Sequence, residues 1–92
     1  SILEVSDKLF TSGAAAINPQ HQLTIADMAK AIEENQISEV IIITKVNSTL
    51  ATQRAETLKN ELSKFMSDSK SLVVTSSAAS QDNSASPAKG EQ

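Results

Sequence analysis

The chain contains no cysteine, no tryptophan and no tyrosine. Without cysteine there can be no disulfide, no zinc–thiolate site and no thiol nucleophile. That absence is compatible with an oxidising compartment. The two glycines, Gly13 and Gly90, lie too far apart to form a phosphate-cradling loop. Aromatics are limited to Phe10 and Phe65, so a core must be built from Ile, Leu, Val, Ala and Met, which predicts a small core of modest stability. Eight Lys and Arg residues are outnumbered by eleven Asp and Glu, giving a formal net charge of −3 with no basic cluster. Phosphate binding relies on clustered cations, which argues against nucleic acid as a partner. No apolar run is long enough to cross a bilayer. Ninety-two residues allow one domain at most. A chain opening on Ser1 reads as a piece of something longer, so any leader or membrane segment would belong to the parent protein.

What is present is periodic. At 100° per residue, Leu50, Ala51, Ala55, Leu58, Leu62 and Phe65 form one apolar stripe, with Met66 at its edge and Arg54 on its border. The Asn47-Ser48-Thr49 run supplies capping oxygens, and the pattern predicts a helix from there to about Met66. Upstream, Asn18-Pro19 is a helix start, with Asn as cap and Pro in the first turn. Ile25, Met28, Ala29 and Ile32 then follow at i, i+3, i+4 and i+7, predicting a helix over 19–35.

Three segments read as strands. Ile2 to Val5 alternates apolar and polar residues. Val40-Ile41-Ile42-Ile43-Thr44 is a β-branched run without alternation, which predicts a central strand covered on both faces. Ser71 to Thr75 is a shorter run of the same kind. Between the first strand and the first helix, Leu9-Phe10 is an apolar anchor, Thr11-Ser12-Gly13 a loop, and Ala14 to Ile17 a small apolar loop packed against the domain. From Ser76 to Gln92 there is no Leu, Ile, Val, Phe or Met, so this stretch is expected to be a disordered tail. The expected architecture is a two-layer α/β sandwich, β-α-β-α-β, over residues 1–75, with a polar tail at 76–92.

Catalytic signals are missing. His21 stands alone near a helix start, with no partner ligands at metal-binding spacing. Glu33-Glu34 reads as a solvated helix end rather than an acid–base pair. The serines gather in the tail, with neither a nucleophile elbow nor a histidine placed to activate one. The chain is therefore not expected to be an enzyme, nor to hold a metal or cofactor.

With these elements placed, three stretches together resemble the OmpA/MotB C-terminal domain, the peptidoglycan-binding module of Gram-negative envelope proteins. Ser6-Asp7-Lys8-Leu9-Phe10 through Pro19 is similar to the family's opening strand and loop. Val40 to Thr44 is similar to the strand that leads into a Gly-His-Thr-Asp turn, and Leu50 to Leu58 to the "LSxxRAxxV" helix. The resemblance covers residues 2–75 and implies a periplasmic or cell-envelope location, with any membrane attachment made by other parts of the parent protein. It implies that Arg54, with Thr44 and Asn47 nearby, binds the carboxylate of diaminopimelate in peptidoglycan. The family also uses an aspartate after the central strand to hold the ligand's ammonium. Here Lys45, Val46 and Asn47 follow Thr44, and the family's last helix and strand are replaced by the tail. The expectation is thus a structural or assembly module within a larger envelope complex, with peptidoglycan anchoring as the alternative. Asp7, Glu39 and Glu61 are the carboxylates that could stand beside Arg54 in place of the lost aspartate, and Glu61 could instead pair with it.

Overall fold

A computed structural model describes residues 1–78 of the chain. The elements are β1 (Ile2–Ser6), short 3-10 turns at Asp7–Leu9 and Pro19–His21, α1 (Gln22–Glu34), β2 (Glu39–Ile43), α2 (Ser48–Ser63) and β3 (Val73–Ser76). This is the expected β-α-β-α-β sandwich, two helices on one small sheet. The sheet is entirely parallel, in the order β1-β2-β3.

Asparagine oxygens mark the entry to both helical segments, at the 3-10 turn ahead of α1 and at α2 itself. The Asn18 side chain accepts from the Gln20 N–H at 3.0 Å, and Pro19 opens a 3-10 turn that passes into α1. The Asn47 side chain accepts from the Leu50 N–H at 2.9 Å and starts α2. At the end of α1 the chain reverses through Gln36, held at φ 53°. The Ile37 N–H donates to the Ile32 carbonyl at 2.9 Å and the Gln36 N–H to Glu33 at 3.3 Å. That is the Schellman pairing, with glutamine where glycine is usual. α2 stops at Ser63, short of Met66, because its last turn tightens. The amides of Lys64, Phe65 and Met66 each donate to the carbonyl three residues back. This tighter winding rotates Phe65 off the apolar stripe, leaving it 48% exposed.

The core lies between the sheet and both helices. Val5, Val40 and Ile42 from the strands meet Ile25, Ala29 and Ile32 of α1 and Ala55, Leu58 and Leu62 of α2. In the parallel register, Leu3–Val40–Val74 and Val5–Ile42–Ser76 form rows across the inner face. Alternation puts Ile2, Glu4, Ser6, Glu39, Ile41, Ile43, Val73 and Thr75 on the other face. There Ile2, Ile43 and Val73 are about half exposed, and among the described residues nothing covers them. The expectation that β2 is covered on both faces is therefore corrected. Strand order 1-2-3 advances in one direction at each crossover, so crossovers of one hand leave both helices on the same side.

The boundary expected at residue 75 falls inside β3, which runs to Ser76. Ser76 and Ala78 are buried. The rest of the expected tail, residues 79–92, lies outside the described residues. Replacing Gln36 with glycine should stabilise the domain by about 0.5–1 kcal/mol, because glycine adopts positive φ without a Cβ clash. Urea unfolding of Gln36→Gly checks this; a lower midpoint would contradict it.

Candidate functional site

The first polar groups beyond the three strands converge at the carboxyl end of the sheet, where ligands of open α/β sheets usually sit. Asp7 follows β1, Thr44 follows β2 and Ser77 follows β3. The Thr44 hydroxyl donates to Asp7 Oδ2 at 2.7 Å. The Thr44 N–H donates to Ser77 Oγ at 3.0 Å, and that hydroxyl donates back to the Thr44 carbonyl at 3.1 Å. The three strand ends are thus laced together by their own side chains.

Arg54 of α2 faces into this end and is only 3% exposed. The border position expected from its helical angle is corrected to a buried one. Its Nε donates to the Ala14 carbonyl at 2.8 Å and its Nη2 to the Thr11 carbonyl at 3.2 Å. Thr57, one turn on, donates to the Ala15 carbonyl at 2.7 Å. The loop these groups hold closes on itself. Phe10 and Ile17 form a single antiparallel bridge, and the Thr11 N–H donates to the Ala16 carbonyl at 2.8 Å. Gly13 turns its tip at φ +72°. The guanidinium carbon stands 5.1 Å from the centre of the Phe10 ring, within cation–π range. Nη1 faces Asp7 Oδ2 at 3.9 Å, an ion pair too long for a hydrogen bond.

Of the expected ligand residues, Arg54 and Thr44 come together around Asp7. Asn47 lies three residues beyond Thr44, with its side-chain oxygen engaged in capping α2. Among the three candidate carboxylates, Asp7 is the one that the ion pair places beside Arg54. Glu61 pairs instead with Lys64 at 3.0 Å, and Glu39 begins β2 at the opposite end of the sheet. The pairing of Asp7 with Thr44 spans 37 residues, and the bond from Arg54 to Ala14 spans 40. Helical periodicity reports neither. His21 is half-buried in the turn before α1. Among the described residues, no group of three or more His, Asp or Glu side chains could hold a metal ion, and no helix is long and apolar enough to cross a membrane.

A second feature lies at the amino end of β2 and β3. A cavity of about 470 Å³ has Ile32, Ile37, Met66 and Leu72 among its lining residues, with Glu33 and Asp68. Glu33 Oε2 accepts from the Ser67 hydroxyl at 2.7 Å and the Ser67 N–H at 2.8 Å, tying the end of α1 to the α2–β3 connection. These bonds hold the Glu33 carboxyl below its ordinary range.

No family model, curated protein or solved structure matches the chain.

Arg54→Lys should destabilise the fold by about 1–3 kcal/mol, since one ammonium cannot reproduce the fork that serves both carbonyls. Amide hydrogen exchange should quicken over residues 11–17 before it does in β2, and uniform quickening would contradict a local role. For Glu33, a depressed folded-state pKa means stabilisation that is present above the unfolded carboxyl value and lost as pH falls through the folded one. Carboxyl-detected NMR of Ser67→Ala should move the Glu33 midpoint upward, and an unchanged midpoint would show that Ser67 is not its cause.

Proposed function

We propose that the chain is a non-catalytic domain of a bacterial cell-envelope protein, serving as a structural or assembly module within a larger periplasmic complex. The observation that carries this reading is the state of Arg54. Two of its donors are bonded to the Ala14 and Thr11 carbonyls, and the residue is shut away from solvent. A guanidinium so engaged holds the loop and cannot offer its fork to a ligand carboxylate without giving that loop up. The uncovered sheet face supports the same reading, because all-parallel sheets are nearly always covered on both sides.

The second reading, a peptidoglycan anchor recognising diaminopimelate through Arg54, is favoured by one observation. Asp7 places a carboxylate 3.9 Å from Nη1 with about a third of its side chain still exposed, where it could receive an ammonium group. Thr44 and Asn47 would then flank the ligand.

The experiment that separates the two is a ¹⁵N NMR titration with a diaminopimelate-containing muropeptide. Under the assembly reading, the amides of Asp7, Thr11 to Ala14 and Thr44 to Ala55 stay in place at millimolar ligand. Saturable shifts centred there, weakened by Asp7→Asn, would replace that reading with the anchor.

A further inference from the structure

The outer face of the sheet is both apolar and acidic, in a defined pattern. Across it the register gives the rows Ile2–Glu39–Val73 and Glu4–Ile41–Thr75, with Ser6 beside Ile43 beyond them. Val73 and Ile41 are diagonal neighbours on β3 and β2, and Ile43 follows Ile41 along β2, so the three form one continuous apolar strip. Among the described residues, the charged strand residues are Glu4 and Glu39, one diagonal step apart on β1 and β2. Diagonal neighbours stand about 7–8 Å apart, so a single cation placed between them is attracted by both. A shallow groove of about 310 Å³, lined by Glu4, Val5, Ser6 and Ile43, marks the β1 side.

The geometry points to this face as the docking site for a cationic amphipathic helix of another protein, its apolar stripe on Val73, Ile41 and Ile43 and its Lys or Arg residues over Glu4 and Glu39. The inference rests on the assembly reading and names the chemistry of the partner. Three strands span about 10 Å between their outer axes, close to the diameter of one helix. Strands of five residues run about 16 Å, matched by some ten or eleven helical residues. A second copy of the chain fits poorly, because stacking two such faces would bring four carboxylates together in an apolar layer with no strand cation between them. A helix with an acidic polar face would meet the same repulsion. The other side of the sheet shows the arrangement that suits it, helices laid against rows of branched side chains.

The test uses the full chain with its isoleucine δ1 methyls labelled, and a fourteen-residue peptide of Leu and Lys in amphipathic helical order as the probe. Methyls of Ile2, Ile41 and Ile43 should shift saturably, while those of Ile25, Ile32 and Ile42 beneath the helices hold still. The double substitution Glu4→Lys and Glu39→Lys alters only strand residues outside the core, and should weaken binding at least about tenfold with the fold retained. The matching peptide of Leu and Glu should leave all methyls unmoved. Equal response to both peptides, or shifts confined to other methyls, would overturn the proposal. So would concentration-dependent shifts of Ile2, Ile41 and Ile43 without peptide, accompanied by a dimer in sedimentation, since a second copy would then occupy the face. Silence here alongside a silent muropeptide titration overturns the cationic partner but leaves an assembly role. Silence here with a muropeptide response around Asp7 and Arg54 overturns both.

Discussion

The buried guanidinium of Arg54 is the constraint on which the carboxyl end of this domain depends. The loop from Thr11 to Ile17 has one backbone bridge of its own and lies against a helix whose facing side is largely apolar. The carbonyls of Ala14 and Ala15 turn towards that helix and are paired by Arg54 and Thr57, and Arg54 also reaches the Thr11 carbonyl, which accepts from the Ala14 N–H as well. A buried cation has its own desolvation cost, and the surroundings offset it from three sides. Two carbonyls accept its hydrogen bonds, the Phe10 ring presents its face, and Asp7 supplies the opposite charge. Asp7 is positioned in turn by the Thr44 hydroxyl, and Thr44 by Ser77, so the ends of all three strands are linked to one side chain on α2.

The one-sided sheet follows from topology rather than from any single residue. Parallel strands need crossover connections, here α1 and α2, and an order of 1-2-3 with crossovers of one hand gives both helices to one face. The inner rows are apolar and buried, as such packing requires. The outer rows keep Ile41, Ile43, Ile2 and Val73 among polar neighbours, which leaves the sheet half-finished as a packing unit.

The helices were legible in the sequence because their signals are local. Asn18-Pro19 and Asn47 mark the starts, and the 3.6-residue spacing of Ile25, Ala29 and Ile32 or of Ala51, Ala55, Leu58 and Leu62 marks the buried faces. The strands and their buried run were legible too, but not their surroundings. Four consecutive β-branched residues look the same whether the outer pair meets a second layer or is left open, since periodicity reports hydrophobicity and not what covers it. Arg54 was misplaced for a related reason. Its angle on the helical wheel sits at the stripe's edge, and only the return of a loop 40 residues away turns that edge into an interior. Asp7 was one of three carboxylates that could stand beside Arg54, and only the fold, which brings the end of β1 against α2, selects it over Glu39 and Glu61.

The domain divides its polar groups unequally between the end of the sheet and its outer face. In an open α/β sheet the crevice beyond the strand ends is the natural ligand site, provided its polar groups are left facing outward. Here Asp7, Thr44 and Ser77 bond to one another across that crevice, and the cation that would complete a zwitterion site is turned inward to the loop. A ligand entering there would have to replace bonds the fold already makes, so its gain would be a difference between two sets of similar interactions. The outer sheet face presents the opposite balance. Ile2, Ile43 and Val73 there stay about half exposed, and its two carboxylates, held one diagonal step apart on neighbouring strands, gain from any cation brought between them. Association there removes apolar surface from water without dismantling anything, and this asymmetry favours a role in assembly over one in ligand capture.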